Sequence, residues 1–116
     1  MNTVVLTGQL HGSAHFHWLG SDTHKQAFVS FLLRVRGPAN EGDSVARCVA
    51  YGRTAENCFE SLQRNNGTDW YEVRARWRER DGDDGQNHHE FVVLPFGLHR
   101  VDLGEIQKQP ELESEA

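Results

Sequence analysis

Apolar and polar residues alternate along several short segments of this 116-residue chain, which is the pattern of β-strands with one buried face. In residues 27–36 every odd position is apolar, whereas the even positions end in Arg34 and Arg36. Residues 44–51 alternate in the same way, with small apolar side chains such as Cys48 on one side and larger ones on the other. Each segment predicts a strand with one face in a core.

Further segments complete the predicted order of elements. Strands are predicted at 3–7 with an extension at 14–19, at 70–80 and at 88–94, and a helix is predicted at 55–64. Thr54 is the predicted helix N-cap, and Pro95 and Gly97 are predicted to end the last strand. The order strand, strand, strand, helix, strand, strand predicts an all-β fold with one short helix, the five-stranded OB-fold barrel.

Arginine occupies every second position near the end of the fourth predicted strand, at Arg74, Arg76, Arg78 and Arg80. Such positions share one strand face, so these guanidinium groups are predicted to lie side by side. On the opposite face Trp77 has the parity of core residues and is predicted to be buried. The row favours an anionic partner, but it also fits a solvated face or a guarded sheet edge. Acidic neighbours that could pair with the row are Glu72, Glu79, Asp81, Asp83 and Asp84.

The distribution of charge changes the meaning of the net charge of −5. Residues 102–116 hold five acidic residues and one lysine, which leaves residues 1–101 close to neutral. The chain is therefore predicted to consist of one domain, 1–101, and an acidic, disordered tail, 102–116. Ten of the eleven basic residues of the domain are arginine, which binds phosphate in a fork and stacks on planar rings.

Several classes of protein are disfavoured by what the sequence lacks. It has neither an apolar run long enough to cross a membrane nor a secretory signal at its start, so an intracellular location is predicted. Cys48 and Cys58 are predicted to be buried free thiols. No nucleophile, phosphate-loop or metal-ligand motif stands out, so no catalytic residue, cofactor or metal is predicted. The seven histidines are predicted to be scattered on the surface, the alternative being a histidine-based zinc or manganese enzyme.

Three stretches of the sequence, taken in order, resemble the bacterial single-stranded DNA-binding protein family. They are the opening Met-Asn-Thr-Val-Val-Leu-Thr-Gly-Gln-Leu, residues 47–62 beginning Arg-Cys-Val-Ala-Tyr-Gly, and residues 67–94 ending Phe-Val-Val-Leu. The ordered series, including the place of the helix, carries the resemblance more than any single motif does. It implies an OB-fold that binds single-stranded DNA with little sequence preference, as a homo-oligomer (a dimer or tetramer) in the bacterial cytoplasm or nucleoid.

Carried over residue by residue, the resemblance implies positions for bases and for phosphates. Tyr51 matches a base-stacking aromatic, and Trp18 falls near an aromatic of the family's first long loop. The strand pattern and the resemblance together predict a nucleic-acid site of Trp18, Arg34, Arg36, Arg47, Tyr51, Arg74, Arg76 and Arg78, with Arg80, Phe28 and Trp70 as further candidates. Such a site combines cations for the backbone with aromatic faces for the bases.

The sequence departs from the family in two respects. Val45 and Arg80 stand where the family has stacking tryptophans, and the acidic tail has neither the family's long linker nor its apolar tip. The resemblance therefore implies a specialised relative from a phage, plasmid or mobile element, or one like primosomal replication protein N. The predicted function is non-catalytic binding of single strands in replication, recombination or repair, with proteins of those processes as further partners. The alternative is a primosome-type adaptor that binds replication proteins and holds DNA weakly.

Overall fold

The computed structural model describes residues 2–102, which form five strands and one helix. The elements are β1 (Val4–Gly20), β2 (Lys25–Val35), β3 (Ser44–Tyr51), α1 (Gly52–Gln63), β4 (Trp70–Asp81) and β5 (Asn87–Val101). The strands close into a barrel in the order β1-β2-β3-β5-β4. The predicted all-β class, the position of the helix and the five-stranded OB-fold barrel are confirmed. Residues 103–116 of the predicted tail lie outside the described residues.

β1 is long enough to pair with two neighbouring strands of the barrel, β4 and β2. Its first part pairs with β4, from Val4 opposite Ala75 onward, and its second part pairs with β2. Gly8 lies where the two pairings overlap, and a Cβ there would come within 2.3 Å of the Arg34 carbonyl oxygen. This close approach of two backbones accounts for the glycine, because any side chain would push β1 and β2 apart.

The core fills the barrel from the inward positions of its strands. The fully or almost fully buried side chains include Ala27, Val29, Phe31, Leu33, Cys48, Ala50, Tyr71, Val73, Ala75 and Val93. α1 packs one side against this core through Ala55, Cys58 and Leu62. The alternation in β2 and β3 therefore predicted the buried face correctly, and Cys48 and Cys58 are both buried as free thiols.

The structure corrects two predicted element boundaries. α1 begins at Gly52, with Tyr51 as N-cap and no side-chain cap, so the prediction of Thr54 as N-cap is wrong. β5 continues past Pro95 and Gly97 to Val101, so the predicted end of this strand is also wrong. The strand absorbs both residues in a wide bulge, in which residues 94–97 lie opposite the single residue Arg74.

The prediction that Trp77 is buried is wrong as well, because 37% of its surface is exposed. β4 and β5 extend from the barrel as a hairpin, which we call the arm: residues 76–81 of β4 with 87–92 of β5. At its base, Phe91 and Val92 still pair with β3. Trp77 lies on the arm, where its indole N–H donates to His89 Nδ1 at 3.0 Å. Asn2 also holds the Trp77 backbone, accepting its N–H and donating to its carbonyl.

Within residues 2–102, no helix has the length and apolar character needed to cross a membrane.

Candidate functional site

One outer surface of the barrel and arm collects side chains from four strands. The pairing register of the strands places these side chains next to one another. Phe28 of β2 is opposite Tyr51 of β3. Val92 of β5 pairs with Val49 of β3 on one side and with Arg76 of β4 on the other. Residues directly opposite in a sheet point to the same side. We call this surface the arginine face, and its members are Phe28, Arg34, Arg47, Tyr51, Arg76, Arg78, Arg80 and Glu90.

Glu90 is a buried carboxylate in the middle of the arginine face. It is only 2% exposed, and it lies directly opposite Arg78 on the neighbouring strand. Arg78 Nε donates to it at 2.6 Å, Arg47 Nε lies at 3.4 Å and Arg80 Nε at 3.9 Å. A charge removed from water is tolerated where it is paired and hydrogen-bonded. The three arginines therefore explain how an ionised side chain fits beside the core.

Arg78 is the arginine that Glu90 holds most closely. A second nitrogen of its guanidinium also contacts Glu90 and donates to the Tyr51 hydroxyl. Its guanidinium carbon lies 5.5 Å from the centre of the Tyr51 ring, within the range of a cation–π contact. Burial lowers the pKa of Arg78. The hydrogen bonds with Tyr51 and Glu90 raise this pKa by more than burial lowers it, so the pKa lies above its ordinary value. The group is a fixed cation joined to an aromatic ring.

The aromatic part of the arginine face continues across the sheet from Tyr51. The Phe28 ring lies 5.3 Å from the Tyr51 ring, at an angle of 52°. On the other side of Phe28, the His17 ring of β1 is stacked at 6.3 Å and 19°. A continuous row of planar groups thus runs from β1 to β4, which is the arrangement required to stack several bases in succession.

Arg34 and Arg76 differ from the arginines around Glu90. Both are exposed, and neither guanidinium makes an ion pair or hydrogen bond with another residue in the range 2–102. Their donors are therefore open to an external anion. The five arginines of the face oppose one carboxylate, so the surface stays strongly positive although the chain is acidic.

Five of the eight site residues predicted from the sequence lie together on the arginine face: Arg34, Arg47, Tyr51, Arg76 and Arg78. Two others are on the outside of the molecule but are already engaged. Arg74 lies opposite Val5 of β1 and pairs with Glu72 at 3.5 Å. Arg36 lies beyond the end of β2, with its guanidinium 5.4 Å from the centre of the Trp70 ring.

Trp18, the remaining predicted residue, does not share this surface. It is opposite Ala27, whose side chain is in the core, whereas its neighbour His17 is opposite Phe28 of the arginine face. Its ring packs edge-on against Phe16 at 5.3 Å and is more than half exposed. Adjacent residues of a strand point to opposite sides, so Trp18 is separated from Tyr51 by the sheet.

Glu90 was missed by the sequence analysis. The five acidic residues predicted as possible partners of the arginine row are its neighbours in sequence, and among them only Glu72 pairs with a member of that row. The available signal was the parity of β5, which places Glu90 on the same side as Val92. The sequence predicts a hairpin loop at residues 81–85, but the pairing of Glu90 with Arg78 depends on the register of the hairpin, which the sequence pattern does not specify.

The histidines form no metal centre with their neighbours. Among residues 2–102 no group of three or more histidine, cysteine or carboxylate side chains is placed to hold a metal ion. His88 instead contacts the Asp84 carboxylate at 3.2 Å, and His89 stacks on Trp77 with ring centres 5.4 Å apart.

No protein-family model and no curated protein matches the sequence. The structure is similar to two solved structures. One is the SSB domain of a Synechococcus protein, with a TM-score of 0.62 and 14% identity over 85% of this chain and 94% of that chain. The other is a deletion mutant of the single-stranded DNA binding protein from Thermus aquaticus, with a TM-score of 0.65 and 20% identity. That match covers 88% of this chain and 42% of the Thermus chain. Both establish likeness of fold.

Proposed function

We propose that this protein binds single-stranded DNA, with little sequence preference, on the arginine face. The observation that carries the proposal is the combination of exposed, unpaired arginines with a continuous row of planar side chains on one surface of an OB-fold. Phosphates follow the cations, and bases of any kind can stack on planar groups. The fold of the two SSB structures, whose names state the same activity for those proteins, supports the assignment.

The wider role that we propose follows from this binding. The protein coats or hands over single strands in replication, recombination or repair, as a binding protein rather than an enzyme. It acts in the bacterial cytoplasm or nucleoid and as a homo-oligomer, a dimer or tetramer. Residues 4–7 of β1 support the oligomer, because within residues 2–102 they pair with β4 alone and their other strand edge is open.

The test is a titration with oligo-dT, followed by tyrosine and tryptophan fluorescence over a range of salt concentrations. If Arg34, Arg47, Arg76 and Arg80 each neutralise one phosphate, the plot of log K against log salt has a slope of about −3. Replacing Arg76 with Gln lowers the affinity, whereas Arg53→Gln serves as a matched control because Arg53 is an exposed arginine on α1. Absence of salt-sensitive binding at low ionic strength would rule out the proposed function.

An adaptor role is the second candidate, and one surface feature favours it. Phe96, at the tip of the β5 bulge, is 82% exposed and has a positive φ of 59°, a strained conformation for a residue other than glycine. A protruding aromatic of this kind is typical of protein contacts. Pull-down from a nuclease-treated lysate distinguishes the two roles, because an adaptor retains replication proteins without nucleic acid and loses them in Phe96→Ser.

A further inference from the structure

Arg78 and Arg76 lie two positions apart on the same side of β4, but their surroundings differ. Arg76 is exposed and makes no ion pair with another residue of the described chain. Arg78 is 32% exposed and is held by two side chains, Glu90 and Tyr51. The sequence pattern makes the two arginines equivalent, whereas the structure gives only Arg76 a free charge.

Moving Arg78 onto a phosphate would leave Glu90 poorly compensated. The carboxylate is almost fully buried, and its remaining contacts, with Arg47 at 3.4 Å and Arg80 at 3.9 Å, are long. A buried charge that loses its closest partner is unfavourable, and Glu90 would also repel a phosphate brought next to it. Arg78 is therefore expected to stay with Glu90 when nucleic acid binds.

The position of Arg78 suits a base better than a phosphate. Its guanidinium lies at the hydroxyl edge of the Tyr51 ring, with its carbon 5.5 Å from the ring centre, and Phe28 flanks that ring at 5.3 Å. A base that approaches Tyr51 therefore meets the guanidinium plane as well as aromatic carbon. Guanidinium planes stack on nucleobases as aromatic rings do.

We propose that Arg78 and Tyr51 form one base-stacking platform, that Glu90 is its positioning residue, and that phosphates are bound by Arg34, Arg47, Arg76 and Arg80. This proposal rests on the proposed function and refines it, because it removes Arg78 from the phosphate contacts. Arg76 and Arg78, two positions apart on β4, would then bind different parts of the nucleic acid, a phosphate and a base.

The test compares two ligands of equal length, oligo-dT and an abasic deoxyribose-phosphate oligomer, across a range of salt concentrations. Arg76→Gln makes the salt slope shallower by about 0.7, the value of one lost phosphate contact, and leaves the preference for dT over the abasic ligand unchanged. Arg78→Gln changes the slope less than Arg76→Gln does and reduces that preference by about tenfold, because stacking on the platform is lost.

Two further variants separate positioning from charge and from folding. Glu90→Gln releases Arg78, so the salt slope becomes steeper by about 0.7 and the abasic ligand binds more tightly. Arg78→Lys keeps the positive charge without the planar group, so the preference for dT falls as it does in Arg78→Gln. Circular dichroism and thermal unfolding identify any variant that does not fold, and the comparison of Arg76→Gln with Arg78→Lys then suffices.

The results that would overturn the platform are distinct from those that would overturn DNA binding. Failure of the unmodified protein to bind oligo-dT at all rejects the proposed function. If it binds, but Arg76→Gln and Arg78→Gln change the salt slope equally, or Arg78→Lys retains the full preference for dT, Arg78 acts as a simple phosphate contact. In that case the platform is rejected and the proposed function stands.

Discussion

The two halves of β4 follow the same alternation but have different surroundings. In the barrel half, Tyr71, Val73 and Ala75 are fully buried, and β4 is paired on both sides, with β1 and with β5. In the arm, Trp77 has the same parity, but β1 has ended and β5 is the only neighbouring strand of the described chain. The β4 side chains of the arm are thus accessible in part on both sides, with Arg76, Arg78 and Arg80 on one side and Trp77 on the other.

The comparison shows that alternation predicts which side a residue faces, and that neighbouring strands decide whether that side is buried. The barrel half supplies stability, because its inward side chains join the core from several directions. The arm supplies accessible surface, because Trp77, its β4 residue of inward parity, is 37% exposed whereas Val73 is fully buried. Each prediction below tests this division between a stabilising half and an accessible half of one hairpin.

The largest expected effect belongs to the barrel half. Tyr71→Ala removes a fully buried aromatic side chain and is expected to lower the free energy of unfolding by about 3–5 kcal/mol. Tyr71→Phe is the control, because the Tyr71 hydroxyl has no hydrogen-bond partner among residues 2–102 and its loss should cost little. Urea unfolding measures both, and a loss below about 1 kcal/mol for Tyr71→Ala would contradict the assignment of this half to the core.

The second prediction concerns the two thiols of the barrel. Burial raises the pKa of both Cys48 and Cys58 to about 12. A thiol in the denatured chain ionises near pH 8.5, so above that pH the denatured state binds fewer protons than the folded state. The free energy of unfolding should therefore fall, by about 1.4 kcal/mol per pH unit for each thiol, between about pH 9 and pH 12.

Urea unfolding at pH 8 and pH 10 measures this dependence, and Cys58→Ala provides the comparison. The decrease in the free energy of unfolding from pH 8 to pH 10 should be smaller in Cys58→Ala than in the unmodified protein. This comparison does not depend on how much the substitution itself destabilises the protein at pH 8. An equal or larger loss in the variant would show that the thiols are not protected by the barrel.

A smaller effect is expected in the arm. Trp77→Ala removes a side chain that is partly exposed, so the free energy of unfolding should fall by about 1–2 kcal/mol, less than for Tyr71→Ala. The same variant frees His89 from its hydrogen bond and ring contact with the indole. If Trp77→Ala destabilises the protein as much as Tyr71→Ala does, the arm is part of the core and the division between the halves fails.

The smallest expected effect is a lowered pKa of one carboxyl group, Asp84, at the turn of the arm. The backbone N–H of Gln86, and then the His88 side chain, lower the pKa of Asp84. A carboxylate with a lowered folded pKa stabilises the folded state above its denatured-state pKa, and this stabilisation is lost as pH falls through the folded value. NMR titration of the Asp84 carboxyl should give a midpoint below that of the denatured chain.

His88→Ala is the control for this titration. It should raise the Asp84 midpoint only in part, because the hydrogen bond from Gln86 remains. A midpoint at or above the denatured value in the unmodified protein would show that the turn is not formed as described.

The sequence predicted the fold well because the fold depends on local patterns. The alternation in β2 and β3, the helical spacing of Ala55, Cys58 and Leu62, and the order of elements together specify an OB-fold barrel. Boundaries were predicted less well. The bulge at residues 94–97 keeps β5 paired where its proline and glycine indicate an end, because the barrel supplies partners that a local pattern does not contain.

The candidate site was only partly predictable, because its contacts join residues distant in sequence. The arginine row was evident, but the pairing of Arg78 with Glu90 depends on hairpin register, and its contact with Tyr51 depends on the approach of β3 to β5. Trp18 illustrates the same limit. Its predicted role rests on a loop of the family that the sequence resembles, whereas here β1 continues as a strand through Gly20, and strand parity then decides which side the ring faces.

The parallel pairing of β3 with β5, which closes the barrel, has a consequence for folding. Tyr51 and Arg78 are separated by 27 residues, and Arg47 and Glu90 by 43, so these contacts require that closure. Contacts between residues distant in sequence carry a loop-closure cost that local contacts do not. A ligand that binds only the closed barrel stabilises it by mass action. Occupancy of the arginine face by the proposed ligand would then favour the closed barrel, so that a single strand would act as a folding ligand as well as a partner.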